Sequence, residues 1–445
     1  MINKKKLLAI HLNEFNYEFL KYGSKKYELK FLKKLISLKE IKTFTRDKTQ
    51  NKDLDPWVQS VSIASGRSSK KHKIFKLGQK LPNKLINIWD VLTRKKIDCS
   101  VWGPMNSNYK KNKYMKLFFP DPWNYTAEPY PKDLQNLHRL PRYYAKNYLD
   151  IDVIKIIKYS LFFILGLLRK NIIFFTIKNF DIIFKSIFFK GLNNFVLFFL
   201  FDLISLHIFS LKSITGHKHF SFIFLNSLAH YQHNNWNEKN NEKLYFIFVD
   251  RILEYIFNIY NHHNTLMIFN GFRQKKINVE YLIRPINPEN FLKKIVSFKK
   301  LEQDMTNGGF IFFKNSLETN NAYKKMKNYN VSGLYVFEIN QKNKFSFYYK
   351  INLKTLKNLK EKNLNFISKK KIINCFNYEK KIKKNIKNNK ININEIKDFL
   401  NDVKLIKTTG RHDYNGNIFL ENFKLNKKIK TIENHKIFNL INKYY

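Results

Sequence analysis

Three short apolar runs, each stopping at a polar cluster, constrain this chain more than any other feature. They are Lys6–Leu12, Phe220–Leu225 (FSFIFL) and Thr265–Phe269 (TLMIF). Nearly continuous apolar runs of this kind are expected of strands buried on both faces of a parallel sheet. The first ends in Asn13-Glu14-Phe15-Asn16, the second in Asn226 to His233, the third in Asn270-Gly271-Phe272-Arg273-Gln274. Polar residues at the carboxyl ends of α/β strands commonly line the site. Between the runs, Phe15–Ile36, Lys84–Arg94 and Leu244–Asn261 repeat their apolar residues at helical spacing. Ile97–Trp102 reads as a further strand, closed by Gly103-Pro104. The α/β class follows from this alternation.

At 445 residues the chain can bury a large core, and 44% hydrophobic with 16% aromatic content excludes a wholly disordered protein. The net charge of +48 invites a nucleic-acid reading. Lys, Asn, Ile and Phe are raised together, however, and Lys is spread along the whole length, as an AT-rich genome would give. The sharpest basic patches are Lys369–Lys371 and Lys380–Lys390, and no zinc-finger, RNA-recognition or helix-turn-helix signature accompanies them. No specific nucleic acid is therefore expected; anionic glycans, phosphorylated substrates or an anionic membrane face fit the charge better. Two cysteines, Cys99 and Cys375, make neither a disulfide framework nor a metal cluster, and each is expected as a small buried hydrophobe. The opening MINKKKLLAIHLNEF has too short an apolar run for a signal peptide. A cytoplasmic location is expected, with membrane association as an addition.

Leu54–Gln79 is the most informative stretch. Pro56-Trp57-Val58-Gln59 runs into small and apolar residues, and Ser65-Gly66 ends the helix, since Gly accepts a left-handed backbone. A helix-opening turn suits an oxyanion; an ordinary loop-helix-turn fits the same residues. The segment Ser65-Gly66-Arg67-Ser68-Ser69-Lys70-Lys71-His72-Lys73-Ile74 resembles the signature that follows the nucleophile in the alkaline phosphatase superfamily, in its sulfatase and nucleotide pyrophosphatase/phosphodiesterase branches. The resemblance covers Leu7–Gly271 and Thr408–Leu420. It implies a three-layer α/β sandwich with a mostly parallel central sheet, to which the chain's own pattern adds a helical insertion and, outside the resemblance, a small α+β cap. The divisions expected are 1–150 for the first half of the core, 151–215 for the helical insertion, 216–286 for the core continued, 287–398 for the cap and 399–445 for the last core segment.

The same resemblance implies the site. Counting back from Gly66 places the family's nucleophile at Pro56, which cannot attack, so Asp55, Ser60 and Ser62 become the candidates. The family's metal-binding Asp at the first strand end matches Asn13, with Glu14 next to it. At the second strand end Asn226 and His230 match a metal-binding Asp and His. His233, three residues on, can face the same way on a helix. His412, in Thr408-Thr409-Gly410-Arg411-His412, matches the last His ligand. Asn270-Gly271-Phe272 stands where the family has its second-metal Asp and His, and supplies no titratable ligand. One divalent ion rather than two is implied, Zn or Mn/Mg. Two Asp-Pro-Trp triplets, at Asp55 and Asp121, can wall a sugar or nucleotide pocket or be structural. Trp57, Gln59, Arg67, Asp121, Trp123 and Arg411 are the candidate contacts to substrate.

Ile151–Ser213 is the most apolar region. Its runs Leu161–Leu168 and Phe195–Phe201 are too short to span a bilayer, and the charges between them fit amphipathic helices. Three or four helices packed on the sheet are expected, with peripheral membrane contact through a basic, aromatic face as the second reading. The expected function is a divergent hydrolase or transferase acting on a phosphate, phosphodiester or sulfate ester, with a surface polysaccharide as one carrier. The alternative is a non-catalytic relative that binds a glycan or anionic ester in the degenerate cleft.

Overall fold

Lys5–Leu12 form the central strand, and their side chains divide between two cores: Leu8, Ile10 and Leu12 enter one, Leu7 and Ala9 the other. The computed structural model describes residues 5–49, 53–148, 151–168, 170–190, 194–212, 218–304, 307–331, 334–340, 342–351, 398–399, 401–424 and 429–445. Lys369–Lys371, Lys380–Lys390 and Cys375 lie outside them; Cys99 is buried, as expected. Two compact units are present, one of Met1–Ile277 with Thr409–Tyr445 and one of Asn278–Thr408.

In chain order the first unit holds β1 (Lys5–Leu12), α1 (Tyr17–Tyr27), α2 (Lys30–Ser37), β2 (Lys39–Phe44), α3 (Pro56–Ser65), α4 (Ser69–His72), α5 (Ile88–Arg94), β3 (Asp98–Trp102) and β4 (Met115–Phe119). Five helices follow, α6 (Gln135–Asn147), α7 (Val153–Leu168), α8 (Ile172–Lys178), α9 (Phe180–Lys190) and α10 (Asn194–Lys212). The chain then returns through β5 (Lys218–Leu225), α11 (Ser227–Asn234), α12 (Lys239–Tyr260) and β6 (Thr265–Phe269). β7 (Arg273–Pro285) leads to α13 (Pro288–Lys293), β8 (Lys300–Gln303), β9 (Gly308–Phe312), α14 (Ser316–Asn328), β10 (Asn330–Val331), β11 (Leu334–Tyr335), β12 (Phe337–Asn340) and β13 (Ser346–Ile351). The last elements are β14 (Val403–Asp413), β15 (Asn415–Glu421), β16 (Thr431–Glu433) and α15 (Ile437–Tyr444).

The central sheet has the order β16-β2-β15-β6-β1-β5-β3-β4. β1 is parallel to β5 from Lys5↔Lys218 to Leu12↔Leu225, and parallel to β6 from Leu7↔Thr265 to His11↔Phe269. β3 is parallel to β5 and to β4, and β16 to β2. β15 alone runs against its neighbours. On one face pack Leu20 of α1, Leu35 of α2, Leu203 of α10 and Ile252 of α12; on the other, Ile63 of α3, Trp89 of α5 and Ile437 of α15. This is the expected three-layer sandwich with a mostly parallel sheet. Each such fully buried large apolar side chain contributes roughly 2 kcal/mol.

Some expectations change. The single helix expected over Phe15–Ile36 is two, because Glu28 takes a left-handed backbone at φ 52° and ends α1. Four helices occupy the apolar insertion, but only α10 is buried along most of its length. α7 to α9 turn much of their apolar surface outward instead of packing it on the sheet. The second unit carries the four-stranded antiparallel sheet β12-β13-β9-β8, packed through Ile311, Phe347 and Tyr349 against Phe291 and Leu292 of α13 and Met326 of α14.

Candidate metal centre

The carboxyl end of β1 is pinned on both sides. Asn13 N–H donates to Leu225 O at 2.9 Å, and Glu14 N–H donates to Asn270 O at 3.2 Å. The chain then turns with Glu14 at φ 56°, a left-handed conformation that costs a residue with a side chain on the order of 1 kcal/mol. Gln274 N–H donates to Glu14 O at 3.1 Å and closes the turn. The result is a carboxylate only 1% exposed at the mouth of the parallel strands.

Two imidazoles converge on it. His233, on α11, places Nε2 at 3.0 Å from Glu14 Oε2, and His412, on β14, places Nε2 at 3.1 Å from the same oxygen. The two Nε2 atoms are 3.2 Å apart. Gln274 Nε2 also donates to Oε2, at 2.7 Å, and Asn13 Nδ2 donates to Oε1 at 3.0 Å. One ligand atom from each of Glu14, His233 and His412 lies within 4.8 Å of the others.

The electrostatics follow from these contacts. Burial opposes a charged Glu14, but His412 and His233 outweigh it and hold the carboxyl well below its ordinary range. Burial likewise opposes a charged His412, and Glu14 overcomes it, pushing the ring up to about 9. His412 Nδ1 donates to the carbonyl of Leu54, which keeps a proton on that nitrogen, so that Nε2, turned toward the cluster, is the one that would be freed to bind a metal. A buried carboxylate with two imidazoles is a donor set for a zinc-like ion that leaves coordination positions open.

The other matched positions form a neutral chain beside the cluster. Asn13 Nδ2 donates to Asn226 Oδ1 at 2.7 Å, and Asn226 Nδ2 lies 3.2 Å from His230 Nε2. His230 stacks on Phe198 of α10 at 3.5 Å between ring centroids, and burial lowers its pKa to about 3. It therefore buttresses α11, while His233, one helical turn on, faces Glu14. Among the described contacts no second ion finds ligands. Asn270 Nδ2 donates to Phe15 O and its Oδ1 accepts from Asn417 N–H at 2.9 Å; Gly271 O accepts from Asn434; Phe272 sets its ring edge against His412.

Of the nucleophile candidates, Asp55 alone has a contact with the cluster. It precedes α3, with Pro56 at the first helical position, and its Oδ1 is 4.0 Å from His412 Nδ1. Ser60 is buried and donates to Met105 O at 3.3 Å. Ser62 is buried and donates to Asp47 Oδ2 at 2.6 Å. His72 Nδ1 accepts from Ile74 N–H at 3.0 Å, so its proton sits on Nε2, 3.1 Å from Ser62 Oγ. The ring donates to the serine and cannot take its proton. Burial lowers His72 to about 4, consistent with a neutral ring. Asp47 Oδ1 also accepts from Ser69 N–H at 2.7 Å, so Asp47, Ser62 and His72 tie α3 to α4.

The remaining candidates are dispersed. Trp57 Nε1 donates to Phe75 O at 2.9 Å, and Gln59 is buried between Asp47 O and Asn434. Arg67 lines a cavity of about 770 Å³ with Ser68, Lys70, Lys71, Lys73 and His435. Asp121 is buried, which pushes its pKa up to about 7, and it caps its own turn by accepting from Trp123 N–H at 2.8 Å. Trp123 packs edge-on to Tyr148. Arg411 is exposed on β14. Reading strand ends did not single out Gln274, Asp47 or Asp202. Gln274 was visible as part of a polar strand end; the other two lie in stretches with no motif.

No known protein family and no curated protein matches the sequence. Solved structures do resemble the chain. Murine ectonucleotide pyrophosphatase/phosphodiesterase 5 in complex with AMP has 9% identity and a TM-score of 0.45, over 99% of this chain and 94% of that one. Thermus thermophilus alkaline phosphatase has 8% identity and a TM-score of 0.45, over 99% and 91%. Phosphonoacetate hydrolase from Sinorhizobium meliloti has 7% identity and a TM-score of 0.42, over 100% and 96%.

Proposed function

We propose that the first unit is a one-metal hydrolase or transferase acting on a phosphate ester or a related anionic ester. The observation that carries this reading is the convergence of Glu14, His233 and His412 from three separate parts of the chain, with all three ligand atoms within 4.8 Å. Those residues would hold the ion. When bound, a divalent cation supplies Lewis-acid stabilisation of an ester oxygen. Leu54 O holds the His412 tautomer, while Gln274 and Asn13 hold the Glu14 carboxylate from its other sides. Asp55, at the amino end of α3, takes the place of the absent hydroxyl nucleophile or serves as the base for water. That helix end favours negative charge on the substrate.

The test is a panel of nitrophenyl phosphate, bis-nitrophenyl phosphate and nitrophenyl sulfate, run with Zn²⁺ or Mn²⁺. Turnover of at least one ester is expected, and Asp55→Asn should abolish it while the bound metal remains. Pro56 at the expected nucleophile position favours a second reading, in which the cleft binds a glycan or anionic ester without cleaving it. Intact esters alongside measurable glycan binding would establish that reading and remove the first.

A further inference from the structure

α7, α8 and α9 each hold the first unit by one side and leave an apolar stripe on the other. Leu167, Phe175 and Ile182 enter the core. On α7 the exposed apolar residues run Val153, Ile154, Ile157, Leu161, Ile164, Leu165 and Leu168, a single stripe roughly 120° wide at the helical period. Ile154 is 80% exposed; on α8, Ile173 and Ile177 are each 71% exposed. On α9, Phe180, Phe184 and Phe188 are exposed four residues apart and stack on one another, with centroids 5.7 and 5.6 Å apart. Outward apolar surface on three successive helices far exceeds the scattered exposure of an ordinary surface.

We propose that these helices dock the chain on an anionic lipid bilayer, lying in the plane of the interface rather than crossing it. Length decides the orientation. A spanning helix needs about 20 residues, whereas α7, α8 and α9 have 16, 7 and 11. α7 and α8 meet at 87°, so they do not join into one straight span. Charge decides the occupant. Lys155, Lys158 and Lys185 are exposed on these helices. The acidic Asp152 and Asp181 have basic partners at 3.3 Å, Lys155 and Arg251. A second copy would bring the same lysines and another net charge of +48 to the contact. Anionic headgroups complement that charge, and the acyl boundary takes the Phe and Ile side chains. This surface shares no side chain with the Glu14 cluster, so the docking and the ester chemistry can fail separately.

The full chain would be sedimented with phosphatidylcholine vesicles, with and without phosphatidylglycerol, at low and physiological salt. Binding is expected with the anionic lipid and should weaken as salt screens it. Ile154→Ser/Leu161→Ser/Leu165→Ser and, separately, Phe180→Ser/Phe184→Ser/Phe188→Ser should each lower partitioning at least about tenfold. Unchanged metal content and thermal midpoint would show that each variant is folded; two independent stripes guard against one variant failing. Phe184→Trp should be quenched by lipids brominated near the headgroup. Wild-type binding by both folded triple variants, no pelleting of the wild type, or a stable self-associated species that buries these helices would each overturn the proposal. Quenching strongest at the bilayer centre would overturn the in-plane orientation.

Discussion

Glu14 shows how much a single residue is asked to do. It adopts a left-handed backbone, is buried as a carboxylate, and meets His233 and His412 at 3.0 and 3.1 Å. Strain and buried charge together are hard to account for by packing alone, and metal ligation gives both a purpose. Glu14→Gln and His412→Ala should therefore weaken Zn²⁺ binding by at least about a hundredfold, more than the loss of a supporting partner does. His230→Ala should retain most of the affinity, because its ring stacks on Phe198 instead of facing the cluster. Metal content after dialysis, read by inductively coupled plasma mass spectrometry, separates these outcomes. Ser62 provides the contrasting case. Its hydroxyl sits between Asp47 and His72, so Ser62→Ala should lower stability in urea by roughly 1–3 kcal/mol and leave turnover of the folded enzyme intact. A folded Ser62→Ala protein that bound metal but had lost turnover would restore the serine as the nucleophile.

At the scale of elements, what could be read from sequence follows burial. β1, β5 and β6 are paired on both edges inside the sheet, and their unbroken apolar runs announce them. β2, next to the sheet edge, holds Lys39, Glu40 and Lys42 with only Ile41 and Thr43 buried, and it carried no comparable signal. The site was legible where strand ends are polar, which marked Glu14 and His233, while His412 came from the family resemblance, all as members of a longer set. Choosing among His230, His233 and Asn226 depends on how α11 is turned, and that is fixed from afar. Asp202 on α10 accepts from the backbone N–H groups of Asn226 at 3.0 Å and Ser227 at 2.8 Å, capping α11 from 24 residues earlier in the chain. Burial pushes the Asp202 pKa up to about 7. Asp202→Ala should cost about 1–2 kcal/mol and weaken metal binding, because the helix start loses its acceptor and His233 its anchor. Asp202→Asn keeps an acceptor oxygen and should be close to neutral in both. Equal loss in the two variants would mean that the carboxyl acts by charge instead of by capping.

Across the whole molecule, 82 Lys and Arg against 34 Asp and Glu mean that every added proton enters a strongly positive field. Buried histidines make that field matter for stability. His263 is 9% exposed and is held between Ile259 O, 3.0 Å from Nδ1, and Ser221 Oγ, 2.9 Å from Nε2. Burial lowers its pKa to about 4, with His219, Lys6 and His262 adding to the effect against the opposing Ile259 carbonyl. The unfolded chain regains the ordinary value of 6.5, so between about 6.5 and about 4 the unfolded state binds the extra proton. Stability must then fall as pH falls through that window, by about 2 kcal/mol for this one residue on going from pH 7 to pH 5. Asp121 and Asp202, both raised to about 7, act with the opposite sign over the same range, so the slope of the wild type alone does not isolate the histidine. The difference between wild type and His263→Gln does. Urea midpoints at pH 7 and pH 5 should show the wild type losing about 2 kcal/mol relative to the variant, whatever His263→Gln itself costs at pH 7. Parallel pH dependence in the two proteins would mean that His263 charges in the folded state, and that its two hydrogen-bond partners do not keep it neutral.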